Sequence, residues 1–284
     1  MDRTVQMGDK GNEGGKDMVD LFTYPPVLRG FLILLAAGVT FPITGVYLLR
    51  MNLLPLRFML MHGAILGGAI ALSFELNPFW TTILVNLLLV WFMSHSARSL
   101  ETDAGYISTF IMVASIGLAF VFIYIYDVPS KDTLGLLWGS LYTLTDVEMW
   151  GGFVLAAVIV SLQVFKRRQL QAFFFDPSIA FTSGVNESAI YYTVVMLTAF
   201  TVALAMRLIG ALLLDAIIIL PALIAMLHAQ SHSRVVLWAC VWGAAFSLTG
   251  FFLAFWIRIP TSSAIALLAT IVFLFFYLVS KLRR

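Results

Sequence analysis

The sequence predicts an all-α, polytopic membrane protein with about nine transmembrane helices. Three observations carry the prediction. The 284 residues are 61% hydrophobic and only 11% charged, with a mean hydropathy of +0.97, whereas soluble domains carry about 25% charge. Apolar runs long enough to cross a bilayer, roughly 20 residues each, recur along the chain between charged punctuation. Within those runs polar residues are scarce, so His62 and Asp215 stand out.

The runs lie at 27–49, 58–76, 79–97, 104–126, 147–165, 188–206, 208–227, 235–257 and 260–280. The segment from Thr133 to Thr145 is too short to span and reads as an interfacial or re-entrant piece, with Trp138 and Tyr142 suited to a headgroup boundary. Residues 1–26, ending in Tyr24-Pro25-Pro26, mix Gly, Asp, Glu and Lys without periodicity and read as a flexible tail outside the transmembrane domain 27–284. The tail lacks the apolar core of a signal peptide. Its Gly15-Lys16 pair imitates a phosphate loop, but Lys10 stands where that motif needs glycine and Asp17 where it needs a hydroxyl. No ATP site is therefore expected on this chain. The lone Cys240 excludes an intramolecular disulfide.

Basic residues set the expected orientation. Arg50, Arg57, Arg98, Lys166, Arg167, Arg168, Arg234, Lys281, Arg283 and Arg284 fall on one side, and Arg29, Lys131, Arg207 and Arg258 on the other. The positive-inside rule places the first set in the cytoplasm, with the amino terminus outside and the carboxyl terminus inside. Glu75, Asp127, Asp132, Asp146 and Glu148 then form an acidic outer mouth, and nucleic acid is not an expected partner.

Ionisable residues in a bilayer are costly, which makes His62 and Asp215 the first candidates for a transport path. By helical rise, Asp215 lies about 12 Å below Arg207 and His62 about 20 Å below Glu75. A histidine with a carboxylate suits divalent Zn, Mn or Fe without choosing among them. The plainer alternatives are a core histidine bonded to a neighbouring helix, and an aspartate that is protonated or paired with Arg207 or Arg258. Met51, Met59 and Met61 read as core fillers. His228 and His232 read as a solvated helix end, and His95 is similarly placed. Gly63 and Gly67 read as a close helix-packing face, and Pro221 as a bend in the seventh span.

The connection after the fifth span contains Phe175-Asp176-Pro177 through Ala180 to Gly184, with the start and stop signals of a short helix. From the residues alone it is either a capped connector on the membrane surface or a docking helix for a partner. Together with Leu137-Trp138-Gly139-Ser140-Leu141, Ile209-Gly210-Ala211-Leu212-Leu213, Ile219-Leu220-Pro221-Ala222 and Pro260-Thr261-Ser262-Ser263, this segment resembles the integral-membrane permease of the bacterial zinc/manganese/iron ABC importers, from about Arg29 to the end.

The resemblance implies a homodimer of permeases in the bacterial plasma membrane, two separate cytoplasmic ATPase subunits and an extracytoplasmic metal-binding protein, with lipid around the assembly. It implies no enzymatic activity on this chain, no permanently bound cofactor, a transported divalent metal ion, and ATP on the partner subunit. Asp176, Pro177, Ala180 and Gly184 would belong to the coupling helix that receives the ATPase movement. In that family the second helix carries Gly-Asp-x-x-x-His, but here Arg57-Phe58 replaces Gly-Asp while His62 remains. Asp215 is the substitute candidate for the missing carboxylate. Two other classes compete: a secondary or proton-coupled transporter using Asp215 and His62 as a relay, and an intramembrane enzyme. The second is disfavoured because no His-Glu-x-x-His or Gly-x-Ser-x-Gly motif is present.

Overall fold

A computed structural model describes residues 23–128, 141–142, 144–176 and 184–282. Among them are ten helices and no strand: α1 Pro25–Arg50, α2 Leu54–Ser73, α3 Pro78–Ser99, α4 Ala104–Ile125, α5 Asp146–Phe165, α6 Arg167–Phe175, α7 Glu187–Ile209, α8 Ala211–His228, α9 His232–Ile257 and α10 Thr261–Leu282. All but α6 are long and apolar enough to cross a membrane. The nine expected spans are thus found, with two instructive shifts. Helix α1 begins at Pro25, inside the expected tail, because proline suits a first turn whose N–H groups have no partner. For the same reason Pro55 starts α2 at Leu54, so that Arg57 lies inside the helix rather than in the loop before it. Helix α6 was not anticipated; it follows α5 after Lys166 and buries Leu170 and Phe173.

Helix α1 is the axis of the bundle and packs on α9, α8, α5 and α7. Helix α2 is held between α3 and α4, while α7 joins the two groups through α3, α1 and α2. Most of α1, α2 and α7 is buried, whereas α4 and α10 turn most of their length outward. That outward surface is apolar, with Phe110, Val113, Phe120, Leu267, Ile271 and Phe275 exposed, as a lipid-facing wall requires.

Small residues set the helix separations. A Cβ on Gly243 of α9 would strike the Gly38 carbonyl of α1 and lie 2.5 Å from Pro42 Cγ, so the two backbones touch there. Gly63 and Gly67 work as expected: α3 presses Asn86 and the Thr82 backbone against them.

Five helices end alike. Asn52, Glu75, Glu101, Asp127 and Arg258 have φ between 50° and 59°, and the following N–H reaches back to the last helical turn, as from Leu53 to the Leu48 carbonyl at 2.9 Å and from Leu76 to that of Ala71 at 2.8 Å. These are left-handed caps of Schellman type built without glycine.

Side chains tie the helix ends into two layers. At one end, Arg29 of α1 pairs with Asp146 at 2.9 Å, and Arg207 of α7 pairs with Glu148 at 2.8 Å. Glu148 also closes a capping box with Thr145 at the start of α5. Two carboxylates of the expected acidic mouth are therefore neutralised by neighbouring arginines. Tyr142 Oη and Thr261 Oγ1 are 2.7 Å apart at this end, while Trp138 and the rest of the expected interfacial piece, residues 129–140 and 143, lie outside the described residues. Because Glu148 is buried and both caps α5 and binds α7, Glu148→Ala is expected to destabilise the protein by about 2–4 kcal/mol. Glu148→Gln, which keeps the cap geometry, should cost less; thermal midpoints in detergent check both.

At the opposite end, Tyr47 donates to Gln163 Oε1 at 2.6 Å and stacks on Phe174 and His232, with centroids 5.3 and 6.4 Å away. Arg167 and Gln171 of α6 donate to Ser233 Oγ. His232 is thus a half-buried ring between aromatics, and His228 packs on Trp238 and Phe276. His232 therefore departs from the expected solvated helix end, whereas His228 is exposed as expected. His95 is exposed and stacks on Trp91 at 5.6 Å. Met59 is fully buried, and Met51 and Met61 pack against the core, as expected of fillers.

Candidate transport site

Between Leu56 and Ala69 the residues of α2 that are not buried are Phe58, Met61, His62 and Ile65, the i, i+3, i+4, i+7 positions of one helical face. His62 is thus partly exposed on this face, between Met61 and Ile65, which touch the core. Its Nδ1 lies 2.7 Å from the Phe58 carbonyl. A carbonyl only accepts, so Nδ1 is the donor, and Nε2 is the ring nitrogen through which His62 could ligate. The position one turn earlier, which holds the family's aspartate by resemblance, is the 40% exposed Phe58.

Asp215 is in the second turn of α8, which begins at Gly210. That glycine ends α7 and starts α8 with φ 80° and ψ 165°, a conformation essentially restricted to glycine. It turns the chain within a single residue and brings the aspartate back to α2. Asp215 there forms an ion pair with Arg57. The anticipated partners are otherwise engaged or absent: Arg207 binds Glu148, and Arg258 makes no ion pair with Asp215.

The Arg57 side chain is 11% exposed and that of Asp215 is 40% exposed, so the carboxylate is open on one side while the guanidinium is enclosed. The guanidinium carbon also lies 4.2 Å from the centroid of the Phe58 ring, within cation–π range. Asp215, Arg57, Phe58 and His62 thus form a continuous chain of contacts: ion pair, cation–π contact and backbone hydrogen bond. Arg57 is the member that sequence reasoning missed. Its charge marked it as a span boundary, although Pro55 carried the signal that the helix begins earlier.

Among the described residues no three His, Cys, Asp or Glu side chains converge. A metal on this chain would take at most two such ligands from the described residues. Of the segment expected to couple to the ATPase, Asp176 and Gly184 are among the described residues. Asp176 caps α6 in an extended conformation, and Gly184 has φ 76°, a backbone conformation that favours glycine. Pro177 and Ala180 fall outside the described residues.

The arrangement is a polytopic helical bundle with a small cluster of ionisable groups inside its spans, the feature that marks a pathway in a membrane protein. Residues 23–280 match the ABC 3 transport family, and the chain belongs to that family. It is 25% identical over 222 residues to the high-affinity zinc uptake system membrane protein ZnuB of Haemophilus influenzae, covering 77% of this chain and 82% of that protein. It is 24% identical to the manganese import system permease protein ScaB of Streptococcus gordonii, covering 78% of each. The fold is shared with PsaBC from Streptococcus pneumoniae, solved in complex with a Fab, at a TM-score of 0.78 and 20% identity over 92% of this chain and 95% of that one. A structure described as an inward-facing conformation of a putative metal-chelate type ABC transporter matches at a TM-score of 0.70 and 21% identity, over 98% and 92%. The resemblance read from the sequence agrees with these matches: the chain belongs to the ABC 3 transport family, its relatives include permeases named for zinc and manganese, and its nine long apolar helices among the described residues fit a multi-pass membrane protein.

Proposed function

We propose that this chain is the translocation subunit through which a divalent transition metal, Zn, Mn or Fe, enters the bacterial cytoplasm. Two copies form the pathway across the plasma membrane, with the amino terminus outside and the carboxyl terminus inside. Separate cytoplasmic ATPases supply the energy and an extracytoplasmic metal-binding protein delivers the ion. No reaction is catalysed on the chain itself. Family membership across residues 23–280 carries this reading, supported by relatives named for zinc and manganese.

His62 and Asp215 are the path residues. The partly exposed stripe of α2 presents Nε2 of His62 to whatever lies against it, and in a dimer the same stripe on the second copy would double the ligand set. The segment Asp176 to Gly184 receives the ATPase. The permease domain begins at Pro25 with α1, two residues before the expected boundary, and the residues before it lie on the extracytoplasmic side.

The test is uptake of Zn, Mn and Fe by vesicles holding the chain assembled with its ATPase and binding protein, wild type beside His62→Ala. His62 is the cleaner probe, because changing Asp215 also releases Arg57. ATP-dependent uptake of at least one metal, reduced about tenfold or more in the variant, is expected. Uptake that ignores ATP and follows a proton gradient would instead favour a secondary carrier using Asp215 and His62 as a relay.

A further inference from the structure

We propose that Arg57 is a built-in competitor for the transported cation: it occupies the Asp215 carboxylate until the metal displaces it, with the Phe58 ring holding the guanidinium both before and after. This inference rests on the metal-import reading above and assigns Arg57 and Phe58 a role in setting affinity.

Four features lead to it. Asp215 has one ion-pair partner among the described residues, Arg57, and is still 40% exposed, so a cation can approach without the helices separating. The guanidinium is enclosed, and a buried charge that loses its counter-charge needs another favourable contact. Phe58 supplies one, with its ring already 4.2 Å from the guanidinium carbon. Finally, Phe58 and His62 share a face of α2, and the His62 nitrogen that is not bonded to the Phe58 backbone is the one able to ligate.

The physical consequence is a lowered affinity. A divalent ion binding Asp215 must break an existing ion pair, so its net gain is smaller than at a free carboxylate. The paired replacement Arg57-Phe58 then makes sense as a unit: one residue holds the carboxylate, and the other keeps the guanidinium in contact when it lets go. A site weakened in this way releases its ion readily, which suits a pathway better than a storage site.

The experiment measures equilibrium binding of radiolabelled Zn²⁺ and Mn²⁺ to the assembled complex in nanodiscs, for wild type, Arg57→Gln, Asp215→Asn and the double variant, with thermal midpoints recorded with and without metal. Arg57→Gln is expected to bind at least one metal about tenfold more tightly, and the gain should vanish in the double variant. Its thermal midpoint should also rise further with metal than that of wild type. Unchanged or weaker binding in Arg57→Gln overturns the proposal, as does a gain that persists without Asp215 or an absence of binding in every variant. If Arg57→Gln does not fold, Arg57→Lys keeps the charge but loses the planar fork. It should show an intermediate gain, and no gain there is equally fatal. The two readings fail separately: wild-type uptake tests metal import, and the effect of removing Arg57 tests the competition.

Discussion

Gly243→Val is expected to prevent this protein from folding, and Gly243→Ala to lower its stability by about 1–3 kcal/mol. The obstruction is backbone: a Cβ at Gly243 meets the Gly38 carbonyl and the ring of Pro42, and neither can move aside by changing a rotamer. Separating α1 from α9 would loosen the helix on which α5, α7 and α8 also pack. Gly117, whose Cβ would meet nothing within 4 Å, provides the control. Gly117→Ala should be neutral or stabilising by up to about 1 kcal/mol through helix propensity alone. The fraction of monodisperse protein on size exclusion and the thermal midpoint in detergent read out all three variants.

Asp215→Asn is expected to destabilise by about 2 kcal/mol, less than the roughly 3–5 kcal/mol that follows when one partner of a buried pair is removed. The difference comes from Phe58, whose ring keeps the guanidinium in a cation–π contact worth about 1–2 kcal/mol. Phe58→Leu alone should therefore be mild, yet its cost should grow when Asp215 is already asparagine. Arg57→Leu with Asp215→Leu removes both charges and should recover most of the wild-type stability. A thermal-denaturation cycle over these variants measures the coupling directly. Additive costs for Phe58→Leu and Asp215→Asn would show that the ring contributes nothing to holding the arginine.

Much of the fold was legible because the bilayer imposes a length and a polarity that each run must satisfy. What the sequence concealed lies at the ends of the runs. Treating a charge as a boundary placed Arg57 outside the second span, when the proline two residues earlier marked the true start. Glycine is the usual signal for a left-handed helix end, yet Asn52, Glu75, Glu101, Asp127 and Arg258 take that role here. The site was half legible. His62 and Asp215 are conspicuous in any hydropathy reading, but their neighbours depend on which helices face each other, and periodicity carries no information about that. Nor does composition distinguish Arg207 and Arg258, one of which clamps α7 to α5 while neither reaches Asp215.

The single-residue joint at Gly210 bears on how such a transporter can diverge. Sequence change between helices is ordinarily absorbed by loops, which tolerate insertion and deletion. Here α7 and α8 share one capping residue whose backbone conformation suits only glycine. The eight-residue spacing from the Arg207 clamp to Asp215 forms a gauge of fixed length. Lengthening it by one residue would rotate the aspartate by about 100° around α8 and away from Arg57. Variation in this region is thus confined to which side chains occupy the gauge, so substrate preference can drift by substitution while the spacing stays closed to change.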